Sequence, residues 1–276
     1  MNYRHEAKMY LQRAEVELSS GDDQRLKYAA LELRMAMEAV TFDRALAHKD
    51  EIPTSEYETW QPRKVLALLL EIDPNIDRDA HLAYGPANQD DITQSEWTSL
   101  GTDKVLNMAT LKKHYDALGS YLHVQTMKHA LANQEVDYSK FKNRCEEIVA
   151  YLKNVLSSPI FNLRMGVGST MECDSCGNPV RTRLPFGKKS VEAFCQHCAA
   201  SYAVEDAEPE GENCVRWYPQ LYTFDCKNTD CTGELSIWRR EIKIGRKLIC
   251  EKCGKEHTFK IGLFHTIEET ERTSAP

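Results

Sequence analysis

The sequence Cys-Asp-Ser-Cys at residues 173–176 is followed, after eighteen residues, by Cys-Gln-His-Cys at residues 195–198. The arrangement returns as Cys-Lys-Asn-Thr-Asp-Cys at residues 226–231 and, again after eighteen residues, as Cys-Glu-Lys-Cys at residues 250–253. Two thiolates on one short turn can reach a single cation, and a second pair at the far end of a β-hairpin completes a tetrahedron. The spacing therefore predicts two four-sulfur metal sites with the ligands Cys173, Cys176, Cys195, Cys198, Cys226, Cys231, Cys250 and Cys253.

Both cysteine units resemble zinc ribbons, over residues 170–205 and 222–263. A shell filled by four sulfurs leaves no place for a water ligand, so each site is expected to hold a structural Zn²⁺ ion rather than a hydrolytic one. Segments of about 40 residues rarely bury enough apolar surface to fold alone. Metal binding, worth on the order of 10–16 kcal/mol in small zinc peptides, is expected to supply that stability.

Three other uses of such cysteines are a disulfide framework, redox pairs and an iron–sulfur cluster. A disulfide framework needs an oxidising compartment, and the first residues show no secretion signal. Redox pairs normally lie in a thioredoxin-like strand and helix setting, which the surrounding sequence does not suggest. An iron–sulfur cluster would use the same four thiolates. Zinc is the favoured interpretation.

Composition places the chain among ordinary globular proteins. Its 276 residues carry 35 Lys and Arg against 42 Asp and Glu, a net charge of −7. A chain of this charge does not coat a polyanion as a whole, so any contact with nucleic acid must be local. The sequence lacks the roughly 20 consecutive apolar residues of a membrane span. We expect a cytoplasmic protein with no membrane partner.

The first half of the chain has the periodicity of helices. Residues 2–19 contain neither glycine nor proline and predict a helix that Gly21 ends. A second helix is predicted to run to about His48. Within it, Arg34 and Glu38 are expected to pair with each other or with another helix, because an unpaired buried charge is costly. Apolar residues recur along the second helix at steps of four and three: Leu26, Ala30, Leu33, Met37 and Val40.

Further helices are expected downstream. Residues 62–73 predict a third, because the proline that opens this stretch suits a first helical turn. Residues 75–101 are polar and are expected to form a long connection. Thr102 or Asp103 is predicted to cap the next helix, and Gly119 to terminate it. These features predict an all-α bundle over residues 1–160.

The remaining segments complete a multidomain α+β arrangement, with the bundle followed by the two small β modules. Asp137 is expected to begin a last helix, whose apolar stripe includes Cys145 as a core residue rather than a reactive thiol. Small residues predict a hinge at residues 158–171, and residues 264–276 are expected to form a loose tail. Cys214 is expected to be neither a metal ligand nor a functional thiol.

The helical half carries a family resemblance. The run Tyr-Ala-Ala-Leu-Glu-Leu-Arg-Met-Ala-Met-Glu-Ala at residues 28–39 and the later Leu-Gly-Ser-Tyr-Leu-His-Val at residues 118–124 resemble the HEPN-type bundles of prokaryotic defence and toxin systems. The resemblance implies a homodimer and, in active members, a metal-independent ribonuclease that uses an arginine separated from a histidine by four to six residues. Here His123 is the candidate catalytic residue, but residues 116–118 are Asp, Ala and Leu.

The missing arginine argues against catalysis. A cation would have to hold the scissile phosphate and stabilise its developing charge. His123 is therefore interpreted either as a catalytic or ligand-contacting residue or as a buried histidine held by backbone groups, whereas His114 and His129 are expected to be exposed. If the chain is an enzyme, the resemblance implies an RNA endonuclease.

Basic residues in the two β modules suggest a surface for RNA or DNA. Cations beside an exposed aromatic ring suit a phosphate backbone and an unstacked base. The alternative is a solvated hairpin face on which Trp238 covers a minimal core. The candidate binding residues are Arg181, Arg183, Lys188, Lys189, Trp238, Arg239, Arg240, Lys243, Arg246 and Lys247.

Three functions follow from the sequence. The first is a zinc-binding recognition or adaptor protein, associated with nucleic acid in a defence or toxin system. The second is a HEPN-type ribonuclease with an atypical active site. The third is a protein-docking module that binds no nucleic acid. The absence of the arginine and histidine pair favours the first.

Overall fold

The computed structural model describes residues 1–85, 97–124, 136–207 and 214–260, together with positions 127 and 131. Helices and one two-stranded sheet occupy the first part of the chain, and further small antiparallel sheets follow from residue 166. The helices are α1 (Tyr3–Ser19), α2 (Leu26–Ala47), α3 (Pro62–Ile72), α4 (Met108–Leu122) and α5 (Tyr138–Leu156). None of the helices within the described residues combines the length and apolar character that a bilayer crossing requires.

Helix α2 lies at the centre of the helical region and packs against α1, α3, α4 and α5. The stripe predicted from its periodicity is buried: Leu26, Ala30, Leu33, Met37 and Val40 are at most 8% exposed. Arg34 and Glu38 both contact α4, which confirms one of the two alternatives stated for them, a contact with another helix. The Tyr115 hydroxyl on α4 donates to Glu38 at 2.5 Å, and the Arg34 guanidinium lies 3.9 Å from the Tyr115 ring centroid.

The start and end of α4 differ from the sequence prediction. Asn107 caps the helix by accepting from the Thr110 amide at 2.8 Å, while Asp103 lies in a strand and binds Arg44. Gly119 does not end the helix. It lies buried inside α4, where an added Cβ would be 3.1 Å from Nη1 of Arg34, so its small size serves a close approach between helices.

The predicted connection over residues 75–101 contains strands. Strand β1 (Ala80–Tyr84) pairs in antiparallel fashion with β2 (Thr98–Asp103), and the register shifts between Leu82 and Ala83. The irregular register and the polar composition hide the usual alternation of a half-buried strand.

We call residues 166–207 and 214–219 the first module. Its strands are β3 (Gly166–Glu172), β4 (Pro179–Pro185), β5 (Ser190–Phe194), β6 (Ser201–Asp206) and β7 (Val215–Pro219). Strands β3 and β4 pair as a hairpin, and β5, β6 and β7 form a sheet in that order.

We call residues 221–260 the second module. Its strands are β8 (Leu221–Asp225), β9 (Glu234–Trp238), β10 (Lys247–Ile249) and β11 (Glu256–Thr258), paired as two hairpins. Ile242 and Ile244 alternate in the sequence like residues of a short strand, but the described structure has no strand there. Both side chains are exposed in the turn before β10, because they have no core to cover.

Hydrogen bonds fix the part of the predicted hinge that precedes β3. Ser158 Oγ accepts from the Lys104 amide at 3.0 Å, and the Leu163 amide donates to Asp103 at 2.9 Å. The Met165 carbonyl accepts from Arg183 of β4. These contacts connect the helical region to the first module. Residues 264–276, expected to be a loose tail, lie outside the described residues.

Candidate metal centres

The first four-cysteine cluster joins two turns of the first module. Cys173 and Cys176 lie between β3 and β4, and Cys195 and Cys198 lie between β5 and β6. The four Sγ atoms lie within 4.8 Å of one another, with 3.6 Å from Cys173 to Cys198 and 3.6 Å from Cys176 to Cys195. The predicted ligands are thus brought together.

The second cluster repeats this arrangement in the second module. Cys226 and Cys231 lie between β8 and β9, and Cys250 and Cys253 lie between β10 and β11. Their Sγ atoms also lie within 4.8 Å of one another, with 3.6 Å from Cys226 to Cys253 and 3.8 Å from Cys231 to Cys250. His257 Nε2 lies 3.3 Å from Cys226 Sγ at the edge of the cluster.

The sulfur separations distinguish metal binding from disulfide bonding. A tetrahedron with Zn–S bonds of about 2.3 Å has edges of about 3.8 Å, whereas a disulfide bond is about 2.05 Å long. The shortest sulfur contacts in both clusters match the tetrahedral edge, and no disulfide joins any of the ten cysteines. The four-thiolate donor set fits zinc, so each cluster could hold one Zn²⁺ ion.

Backbone geometry forms the turns that carry the ligands. The Gly177 amide donates to the Cys173 carbonyl, the Ala199 amide to Cys195 and the Gly254 amide to Cys250, each at 2.8 Å. The donor residue has a positive φ in all three turns: 71°, 57° and 69°. Glycine holds this position in two of the turns, whereas Ala199 adopts the same left-handed conformation despite its Cβ.

Other side chains hold the sulfurs of the first cluster. The Tyr202 hydroxyl donates to Cys173 Sγ at 3.3 Å and accepts from the Asp174 amide at 3.0 Å. The hydrogen bond that Asn178 donates to Cys176 Sγ, 3.4 Å long, lowers the pKa of the Cys176 thiol to about 6. Tyr202, completely buried in β6, was not identified from the sequence. Only the apolar alternation around it could have suggested its burial.

The two cysteines outside the clusters have different environments. Cys145 is completely buried in α5, and burial raises the pKa of its thiol to about 12. The structure therefore places it in the core, as its position in the apolar stripe predicted. Cys214 is exposed and belongs to neither cluster.

The candidate cations of the first module divide into buried and exposed groups. Arg183 is 7% exposed and binds Glu51 and Asp73 of the helical region, so its guanidinium cannot meet a nucleic acid. Lys188 donates to the Glu71 carbonyl. Arg181 and Lys189 are exposed and form no ion pair with a described residue.

In the second module, Trp238 does not offer a free stacking surface. Its ring centroid lies 5.4 Å from that of Tyr202, at an angle of 63°, so it covers the core of the first module. Arg239 binds Glu192 at 2.9 Å, and Arg240 donates to Ser175 Oγ at 2.8 Å. These three candidates hold the two modules together.

The remaining candidates flank an exposed turn at residues 242–247. Arg246 binds Glu241 at 3.4 Å and Lys247 binds Glu256 at 2.8 Å, while Lys243 has no ion pair among the described residues. Ile244 is 71% exposed beside them. The whole second module carries nine Lys and Arg against six Asp and Glu, a balance of +3 within a chain of −7.

The histidines are placed differently from the sequence expectation. His123 follows the end of α4 and is exposed. The interpretation of His123 as a buried histidine held by backbone groups is therefore wrong. His123 forms no ion pair with a described residue. His114 was expected to be exposed but is 3% exposed in the helical core, and burial lowers its pKa. Position 129 lies outside the described residues.

Comparisons with known proteins give no relative for this chain. No family model matches it, no curated protein matches it, and no solved structure matches it.

Proposed function

We propose that this chain is a zinc-dependent recognition protein that holds two structural Zn²⁺ ions and binds nucleic acid through its second module. The observation that carries the proposal is the pair of closed sulfur clusters, each of which joins the turns of two small sheets. Four thiolates around one ion leave no coordination site for a substrate or water, so the zinc would stabilise structure.

The charge distribution supports nucleic acid as the ligand. The second module has a positive balance, and Lys243, Arg246 and Lys247 flank one exposed turn. Phosphate contacts of this kind release counterions and weaken steeply as salt rises. The surface differs from the sequence prediction because Arg183, Trp238, Arg239 and Arg240 have partners within the protein.

The binding test uses the full-length zinc-loaded protein and a labelled single-stranded RNA of about 20 nucleotides. We expect binding at low salt that weakens strongly between 50 and 200 mM salt, as charge-based contacts do. K243E with K247E should weaken binding about tenfold or more. K27E with K112E, which makes the same charge change at exposed positions of α2 and α4, should not.

Two results would overturn the nucleic-acid proposal: no binding at low salt, or equal weakening by K27E with K112E. A protein-docking role would then be the better explanation for the exposed Ile244 and Ile249, which are 71% and 67% exposed. That role would place a protein partner, rather than a phosphate backbone, on the same turn.

Catalysis is the second candidate, favoured only by the resemblance of the helical half to HEPN-type bundles. His123 is exposed, but residues 116–118, where the resemblance would place the arginine, contain none. Incubation of the protein with mixed RNA, alongside H123A, tests this candidate. Cleavage that disappears in H123A would establish a ribonuclease, and absence of cleavage supports the recognition role.

Several expectations stay predictions. They are the relationship to HEPN-type bundles, a homodimer formed through the helical region, a setting in defence or toxin systems, and a cytoplasmic location. The same holds for the domain division into residues 1–160, 170–205 and 222–263.

A further inference from the structure

The second module touches the first module beside the first sulfur cluster. Arg240 Nη2 donates to Ser175 Oγ at 2.8 Å, and Ser175 lies in the turn that carries Cys173 and Cys176. The guanidinium also lies over the ring of Trp238, 5.2 Å from its centroid. One side chain of the second module therefore holds the ligand turn of the first.

A second contact reaches the same cluster through an aromatic ring. Trp238 packs edge-on against Tyr202, and the Tyr202 hydroxyl donates to Cys173 Sγ at 3.3 Å. Tyr202 also accepts from the Asp174 amide within the ligand turn. Displacement of Trp238 would uncover one face of Tyr202 and loosen its hold on both the sulfur and the turn.

The contact with Ser175 is not shared with an ion pair. Arg240 has no carboxylate partner among the described residues, so the Ser175 hydroxyl is the hydrogen-bond acceptor that the structure gives its guanidinium. The contact therefore positions the ligand turn directly.

We propose that the second module retains the metal of the first site, with Arg240 and Trp238 as positioning residues that hold the 173–176 turn and Tyr202 around it. Release of the first metal and undocking of the second module are then one coupled event. The inference rests on the proposed zinc binding and is independent of nucleic-acid binding.

The test measures how fast each cysteine is exposed when zinc is removed. The full-length zinc-loaded protein is incubated with excess EDTA and N-ethylmaleimide, and alkylation of every cysteine is followed by peptide mass spectrometry. Loss of a residue that supports metal ligands typically weakens metal binding by about 10–100-fold. In R240Q we expect alkylation of Cys173, Cys176, Cys195 and Cys198 to be about tenfold faster.

Matched variants separate positioning from general destabilisation. R239Q removes a neighbouring cation that also bridges the modules, through its ion pair with Glu192. Arg239 does not touch the ligand turn, so R239Q should leave the alkylation rate of the first cluster within about twofold. S175A should reproduce the R240Q effect. The double variant R240Q and S175A should add little to either, because both break the same contact.

The second cluster reports on folding in the same samples. Unchanged alkylation of Cys226, Cys231, Cys250 and Cys253 in R240Q supports the proposal. Equal rates for the first cluster in R240Q and in the unmodified sequence would overturn it, as would equal acceleration of both clusters. If the unmodified protein contains no zinc, the proposed zinc function fails and this inference falls with it.

Discussion

The guanidinium of Arg183 lies 3.0 Å from the carboxylate of Glu51, with both side chains buried at the junction of the helical region and the first module. Arg183 belongs to β4, while Glu51 follows α2. A second bond of 2.9 Å joins Arg183 to Asp73. Burial raises the pKa of Glu51, but hydrogen bonds from His48 and Arg183 outweigh it, and the pKa lies below its ordinary value. The junction is therefore a charged cluster held between two parts of the chain.

Removal of Arg183 should destabilise the junction strongly. R183M leaves the buried Asp73 carboxylate without its cation and leaves Glu51 with Arg164 at 3.8 Å, and loss of such a buried partner typically costs about 3–5 kcal/mol. R181M, at an exposed neighbouring position, should change the free energy of unfolding by less than about 0.5 kcal/mol. Denaturant unfolding of both variants measures the difference. Equal stability of the two would contradict a junction held by Arg183.

Addition of a methyl group at Gly233 should disturb the second metal site alone. The new Cβ would lie 2.8 Å from Cys250 Sγ and 3.2 Å from Cys231 Sγ, closer than ordinary packing allows. We expect G233A to bind one zinc ion instead of two. G245A is the control, because its Cβ meets nothing within 4 Å although its φ is 80°. Two zinc ions in G233A would refute the steric argument.

The conformation of Ala199 predicts a stabilising substitution. With φ at 57°, its Cβ is strained, and left-handed backbone costs roughly 1–2 kcal/mol at a residue other than glycine. A199G should relieve part of this backbone strain and raise the free energy of unfolding by up to about 1 kcal/mol. A203G, in strand β6, should lower it by about 0.5–1 kcal/mol instead. A loss of stability in A199G would show that the turn is not strained.

His48 should make stability depend on pH near neutrality. It is completely buried, and it faces Glu51 with Arg183 and Arg44 nearby. Burial lowers its pKa, against the opposing hydrogen bond with Glu51. The unfolded chain then takes up a proton near pH 6.5 while the folded protein does not, so stability is lost as pH falls below about 6.5.

The comparison with H48N isolates this contribution, because protonation of the zinc ligands affects both proteins alike. The free energy of unfolding, measured in excess zinc at pH 7.5 and 5.5, should fall less in H48N than in the unmodified protein. Equal falls in the two would show that His48 is not the responsible group.

The local parts of the fold were predictable because they depend on residues close in sequence. Cysteine spacing indicated both clusters, and periodicity indicated α2 and the buried Cys145. The N-cap at Asp137 also follows from its neighbours, since its carboxylate accepts from the Lys140 amide. Each of these features involves residues of one helix or of one short segment of the chain.

Contacts between distant segments were not predictable in the same way. Arg183 alternates along β4 like an exposed cation, and only its partners more than 100 residues away show that it is buried. Trp238 likewise covers Tyr202 of another module rather than its own sheet. Gly119 resembles a helix terminator, because the approach of Arg34 is invisible in the sequence around it.

The most direct test is elemental analysis of the full-length protein purified without oxygen, with thiols counted on the same sample. We expect two zinc ions per chain, one in C176S and one in C253S, because each substitution opens a different quartet. Absence of zinc, with the eight cluster cysteines present as free thiols or as disulfides, would contradict the account.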